Sequence, residues 1–408
     1  MRIRSITCFY NPLAANAELN LQNMGKLAQK AWHDFEKEGF EVQTSRFATP
    51  SLLSQLQNKG KMEIIQFAKH LEKRASEQGF NYLSLGTAPI ESPSLFEVIP
   101  DILAETENTF LSATIANQKP GISPPAVKAC ARIIKEISTI SSDGFTNLRF
   151  AALANVPPFT PFFPAAYSEG NEKAFTLAIE CADVAIIAFQ KSTTLKEARL
   201  FLLQTLEGYA KHLKTIAINI EKEFGATFKG FDFSLAPFPK EWCSLGRALE
   251  LLGLPKLGYA GSLAASAFLA DTLDRGKWKK AGFNGLMLPM LEDSTLAARA
   301  AEGTLGIYDL LQYSAVCGTG LDTIPLPGAI TPEELTPLLL DIAALALRLD
   351  KPLTARLMPI PGKQAGEPTD FNFDFFANSK VINYHVQPLQ GLLNQDNIIQ
   401  IKSKKIPN

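Results

Sequence analysis

Residues 314–328 read SAVCGTGLDTIPLPG. One free thiol (Cys317), two glycines (Gly318 and Gly320), a carboxylate (Asp322) and two prolines (Pro325 and Pro327) sit in an otherwise apolar run. Glycine weakens a strand interior and gives it nothing to pack, so glycines beside a cysteine point to a loop brought close to a ligand or to another backbone. The run predicts such a loop, leading into a strand from Leu321 to Leu326. Cys317 has two readings here, a reactive thiol on a flexible segment or a small buried hydrophobe.

Outward from this stretch the chain alternates strand and helix. Strands are predicted at Arg2–Tyr10, Glu41–Phe47, Tyr82–Leu85, Asn108–Ala116, Leu148–Val156, Phe231–Leu235, Phe283–Leu288 and Leu353–Ile360, with a last one at Lys380–His385. Helical periodicity fills the intervals at Ala17–Glu38, Lys61–Gln78, Ser94–Leu103, Pro124–Ser138 and Glu172–Phe189. It continues in a long helix opened by the Thr194–Glu197 capping box, in Trp242–Leu252 and Ser262–Asp274, and in a helix after Glu292-Asp293. Thr331-Pro332-Glu333-Glu334 opens another, with Leu335, Leu338, Leu339 and Ile342 on its apolar face. Roughly nine or ten strands separated by helices predict a large, mostly parallel α/β sheet or barrel. No linker or repeat divides the chain, so one domain over 1–408 is expected, with an extended tail at 386–408.

The 40 basic and 41 acidic residues give a formal charge of −1, which provides no field for nucleic acid or an anionic membrane. No apolar run reaches the length of a membrane span, and the N-terminal stretch does not read as a signal peptide. The five cysteines are scattered with no CxxC pair, which argues against a disulfide framework and for a reducing cytoplasm. GxxxxGK[ST], a strand-linked GxGxxG, HExxH and GxSxG are all missing, which counts against the common nucleotide, zincin and hydrolase sites.

In parallel α/β folds ligands gather beyond strand ends, so polar residues at those ends are the site candidates. Asn117, Asn155, Asp232 with Ser234, Glu292 with Asp293, Cys317, Asp322, Arg356 and Lys363 form that set. Arg356 is a single charge in an apolar strand, so it is expected to meet Asp322 or Asp232, in a functional site or in a structural ion pair. The acidic pair Glu292-Asp293 also suits a helix N-cap. Any metal would be held by carboxylates, favouring Mg²⁺, Mn²⁺ or Ca²⁺.

Six segments carry a resemblance: TENTFLSATIAN, GFTNLRFAALANVPPFTPFFPAAY, GFDFSLAPFP, LPMLED, AVCGTGLDTIPLPG and LRLDKPLTARLMPIPGKQAGEPTDF. Together they resemble the family known as domain of unknown function 711, over nearly the whole chain. That family is similar in fold to pyruvate formate-lyase and the other glycyl radical enzymes. The resemblance implies a ten-stranded α/β barrel of two five-stranded halves, with Cys317 as counterpart of the cysteine on the loop that threads the barrel. The C-terminal Arg-Val-x-Gly-Tyr motif is missing, so the radical chemistry is not expected.

The leading expectation is a protein that binds, and as an enzyme transforms, a small anionic metabolite. Arg356 and Lys363, with Asn117, Asn155, Ser234 and Asp293, would bind it; Asp232, Asp322 and Glu292 would act as acid/base groups or metal ligands, and Cys317 as nucleophile. The alternatives are a non-catalytic metabolite sensor and a structural protein, a homodimer joined through the Pro/Phe segment Val156–Tyr167.

Overall fold

A computed structural model describes residues 1–404. The first third holds β1 (Arg2–Phe9), α1 (Ala17–Lys37), β2 (Ser45–Ala48), the single-turn α2 (Leu52–Gln55), α3 (Lys61–Glu77) and β3 (Tyr82–Ala88). Next come α4 (Ile99–Glu105), β4 (Thr109–Asn117), the two-residue β5 (Gly121–Ile122), α5 (Pro124–Ile137) and β6 (Phe150–Ala154). They are followed by β7 (Ala174–Glu180), α6 (Ala182–Gln190), α7 (Leu195–Phe224), β8 (Thr227–Ala236), α8 (Leu245–Glu250) and α9 (Ser262–Asp274). The chain then forms α10 (Ser294–Glu302), α11 (Ile307–Cys317), β9 (Gly320–Pro327), α12 (Pro332–Leu349) and β10 (Leu353–Ile360).

Local chemistry sets these boundaries. At α12 the Thr331 hydroxyl accepts from Glu334 N at 3.3 Å, the Glu334 carboxylate accepts from Thr331 N at 2.9 Å, and Pro332 takes the first helical position, where no N–H is needed. The helix buries Leu335, Leu338, Leu339 and Ile342, the face its periodicity predicted.

The strands form a sheet in the order β8-β7-β1-β2-β3-β4-β6-β10-β9, with β5 added beside β4. β1, β2, β3, β4 and β6 are mutually parallel. On either flank a parallel pair, β7–β8 and β9–β10, runs the opposite way, joined by antiparallel β1–β7 and β6–β10 ladders.

Strand pairing does not close the expected barrel: the sheet is an open path with β8 and β9 at its ends. Residues 279–291 lie between those ends. Phe231 N donates to Lys279 O and Met287 N to Ser234 O on one side, and Met290 N donates to Asp322 O on the other. The isolated bridges Phe231–Lys280 and Pro289–Asp322 are both parallel. Phe283–Leu288 is therefore not the predicted strand. Gly282 (φ 74°) and Asn284 (φ 48°) are left-handed and Pro289 has no N–H to give, so a continuous ladder cannot form. The Asn284 side chain replaces part of the missing pairing, accepting from Phe233 N at 3.3 Å and donating to Phe231 O at 3.1 Å.

Three further expectations change. The helix predicted over Glu172–Phe189 is β7 followed by α6; β7 lies between β1 and β8 with every residue buried, and such a strand has the same unbroken apolar pattern as a buried helix. Residues 314–317 are the last turn of α11 rather than a loop, ended by left-handed Gly318 (φ 84°). Lys380–His385 makes only a single bridge, from Lys380 to Pro368. The tail returns to the body where Ile399 and Ile122 exchange backbone hydrogen bonds of 2.9 and 3.0 Å.

The two faces of the sheet differ. In β1, Ile6 and Cys8 enter the large core cluster shared with the helices, while Phe9 packs with Ala48, Phe163 and Ala166 on the other side. That second face receives Val156–Tyr167. Thr7 donates to Pro161 O at 2.9 Å and Ser84 to Ala166 O at 2.7 Å, so strand hydroxyls satisfy the carbonyls of an irregular buried segment. Phe162 and Phe163 are each only 7% exposed and lie within the fold, while Pro157 is exposed and Phe159 half-buried at the start of the stretch.

Candidate functional site

A cavity of about 90 Å³ opens on this second face. Its polar wall carries Arg4, Arg46, Glu292, Asp322 and Arg356; its apolar wall is built largely from Tyr82, Phe110, Phe163, Phe283, Phe373 and Phe375.

Two ladder irregularities aim the polar groups. Ile3 pairs with Ile179 and Ser5 with Ala178, which leaves Arg4 as the extra residue of β1. Ala355 pairs with Leu321 and Leu357 with Ile324, so Asp322 and Thr323 together face Arg356, and Thr323 is left-handed at φ 46°. A bulge re-aims a side chain without ending the sheet, and both of these do so at charged residues of the cavity.

The charges form an alternating chain. Arg356 Nε donates to Asp322 Oδ1 at 2.5 Å and its Nη2 to Glu292 Oε1 at 2.6 Å. Glu292 Oε2 accepts from Arg4 Nη2 at 2.7 Å, and Arg4 Nη1 donates to Glu180 at 3.3 Å. Glu180 is paired in turn with Arg2 at 2.5 Å, and the Arg2 guanidinium lies 4.6 Å from the ring centres of both Phe238 and Trp242. Three carboxylates thus meet three guanidiniums. Burial pushes the Asp322 carboxyl above its ordinary value; Arg356 opposes this and Glu292 adds to it. Burial works against the Arg356 charge, yet Asp322 and Glu292 together raise its pKa.

Arg46 stands outside that chain. It is 8% exposed, its Nε donates to Thr44 Oγ1 at 3.0 Å, and its guanidinium lies 5.3 Å from the Phe163 ring centre and 5.7 Å from that of Tyr82. Among the described residues it forms no ion pair with a carboxylate. Burial and the charge of Arg4 push its pKa down to about 9, which leaves the guanidinium charged at neutral pH. Sequence reasoning missed both Arg46 and Arg4. Arg46 lies in a strand of only four residues, too short for a period, and its signal was the lone charge in SRFA.

The predicted residues divide accordingly. Asp322, Glu292 and Arg356 meet at the cavity. Asp232 is fully buried off this wall, accepting from Ser234 Oγ and from the backbone N–H groups of Ser234, Phe283 and Asn284; burial pushes its pKa up to about 6 against those donors. Asp293 caps two helices, accepting from Thr295 N and Leu296 N of α10 and from Leu245 N and Gly246 N of α8. Lys363 bonds Pro368 O at 2.6 Å and pairs with Asp370 at 3.0 Å. Asn155 bonds Asp350 at 3.3 Å, and Asn117 pairs with Gly121 between β4 and β5. Cys317 is buried at the end of α11, its Sγ 3.9 Å from Thr319 Oγ1, and burial raises its thiol pKa. At Gly320 a Cβ would stand 2.2 Å from Thr354 O, so this glycine serves the close approach of the neighbouring backbone rather than of a ligand.

Among the described residues no three or more His, Cys, Asp or Glu side chains are placed to hold a metal ion. No helix of those residues is long and apolar enough to cross a membrane.

Comparison with known proteins yields a match to the family model described as Uncharacterised ACR (DUF711), over residues 1–377. A UPF0210 protein of Pyrobaculum arsenaticum is 30% identical over 347 residues, covering 81% of this chain and 76% of the relative. A UPF0210 protein of Acetivibrio thermocellus is 27% identical over 363 residues, covering 84% and 79%. One from Oenococcus oeni is 27% identical over 368 residues, covering 85% and 80%.

Proposed function

Because the chain belongs to the uncharacterised family DUF711, whose name assigns no chemistry, we propose from its site that the protein binds a small anionic metabolite, anchored by Arg46. The observation that carries this reading is the contrast between Arg46 and its neighbours. Arg4 and Arg356 are matched by carboxylates, whereas Arg46 keeps its charge beside the cavity with rings on two sides. A buried unpaired guanidinium is costly, and an incoming carboxylate or phosphate would offset that cost through a bidentate pair.

A second reading, chemistry on that ligand, is favoured by Asp322. Its carboxyl is on the cavity wall and burial raises its pKa against the pull of Arg356, the direction in which a carboxyl becomes a better proton acceptor. In this proposal Glu292 and Arg356 hold Asp322 in place.

The barrel implied by the family resemblance belongs to the same proposal. Residues 279–291 contact β8 and β9 in the parallel sense and would take the fifth place in the half formed by β7, β8, β9 and β10. Five buried free thiols suit a reducing cytoplasm.

Thermal unfolding of the wild type and of Arg46→Met, titrated with carboxylates and phosphates, tests the binding reading. A ligand that raises the wild-type midpoint and leaves Arg46→Met unmoved supports it. Equal responses in both, or none in either, refute it.

A further inference from the structure

The cavity sets a limit on the charge of its occupant. Of the three arginines on its wall, Arg4 and Arg356 are neutralised by Glu180, Glu292 and Asp322, and Arg46 alone lacks a carboxylate among the described residues. Glu292 and Asp322 share that wall, so a second negative charge on a ligand would meet two carboxylates rather than another free cation. With no second unpaired cation among the described residues of the wall to receive another charge, dicarboxylates and phosphate dianions are disfavoured.

The remaining surface sets the body of the ligand. Tyr82, Phe110 and Phe163 form one continuous set of edge-to-face rings, with centroids 5.3 Å apart at each step. At the other side of the cavity Phe375 lies 5.3 Å from Phe373, 5.8 Å from Phe238 and 5.1 Å from the Arg4 guanidinium. Phe373 and Phe375 are half-buried and come from one short segment, whose Ala377 N donates to Leu291 O, one residue before Glu292. Rings at such spacing favour a flat aromatic partner over a flexible chain, because offset and edge contacts add to the area buried.

We infer that the occupant is an aromatic monocarboxylate, its carboxylate on Arg46 and its ring between the Tyr82–Phe110–Phe163 set and Phe373 and Phe375, which determine specificity. This rests on the reading of Arg46 as the anchor. The 370–378 segment thereby becomes a wall of the site.

Calorimetric titration of the full chain with 3-phenylpropionate, hexanoate, succinate and inorganic phosphate tests the inference. The expected result is 3-phenylpropionate binding at least tenfold more tightly than the other three. Arg46→Met loses at least tenfold of that affinity, and Arg46→Lys, which keeps the charge but not the fork, retains part of it. Phe375→Leu weakens 3-phenylpropionate severalfold and leaves hexanoate unchanged, a pattern that general loss of structure does not produce. Tighter binding of succinate or phosphate, lost in Arg46→Met, overturns the aromatic monoanion and leaves the anchor standing. Hexanoate binding as well as 3-phenylpropionate does the same. Binding by none of the four, or binding indifferent to Arg46, overturns both.

Discussion

The Arg356 guanidinium and the Glu292 carboxylate meet at 2.6 Å with 9% and 10% of their side chains exposed. Removing one partner of such a pair strands the other as a buried charge. Arg356→Met strands Asp322, leaves Glu292 with Arg4 as its one guanidinium partner, and is expected to cost about 3–5 kcal/mol of stability. Urea unfolding measures it, and a loss under about 1 kcal/mol would contradict the alternating chain. Arg356→Lys cannot span both carboxylates with a forked donor and recovers only part of the loss.

Arg46→Met should do the opposite to the unliganded protein. It replaces an unpaired buried charge with an apolar chain among rings, so the urea midpoint rises, by about 1 kcal/mol in stability. A fall of that size would mean that the apo protein satisfies Arg46 in some other way.

Asp232 titrates near pH 6 in the folded chain, against an ordinary value of 3.8. Its folded pKa is raised, so the native state holds the proton more tightly than the unfolded state. Its contribution to stability is therefore greatest below about pH 4 and declines as pH climbs through 6. Carboxyl carbon chemical shifts followed by NMR should show a midpoint near 6; a midpoint under 4 would mean that its backbone donors outweigh burial.

Gly320→Ala places a methyl 2.2 Å from Thr354 O at a backbone φ of +101°. Both strain and collision oppose it, so the β9–β10 ladder should lose at least about 2 kcal/mol. Thermal unfolding reads this, and a neutral substitution would contradict the observed register.

Cys317 should resist iodoacetamide at neutral pH in the native protein and react fully after denaturation, because it is 7% exposed and burial disfavours its thiolate. Rapid stoichiometric labelling would instead identify it as the nucleophile that its sequence context suggested.

Much of the fold was legible because its signals are local. Capping residues and periodicity located α12, and the alternation in β1 and the apolar run of β10 located those strands. The β7 error came from burial on both faces, which erases the period that tells strand from helix. The site was half legible. Asp322, Glu292 and Arg356 stood out as charges near strand ends, but their convergence depends on β9, β10 and residues 279–291 lying side by side, which no short window encodes. Asp232 stood out equally and is engaged in tying Phe283 and Asn284 to β8, with Ser234 beside it holding Gly285. Arg46 became conspicuous only once each neighbouring guanidinium could be assigned a partner.

Residues 279–291 touch both outermost strands of the sheet. Exposed strand margins recruit other chains, which makes them seeds for aggregation. A protease nick within this dozen or so residues would uncover both margins at once, so the segment that re-aims the backbone toward Glu292 also safeguards solubility. That cover is held by the chain's own backbone, whether or not a ligand is bound.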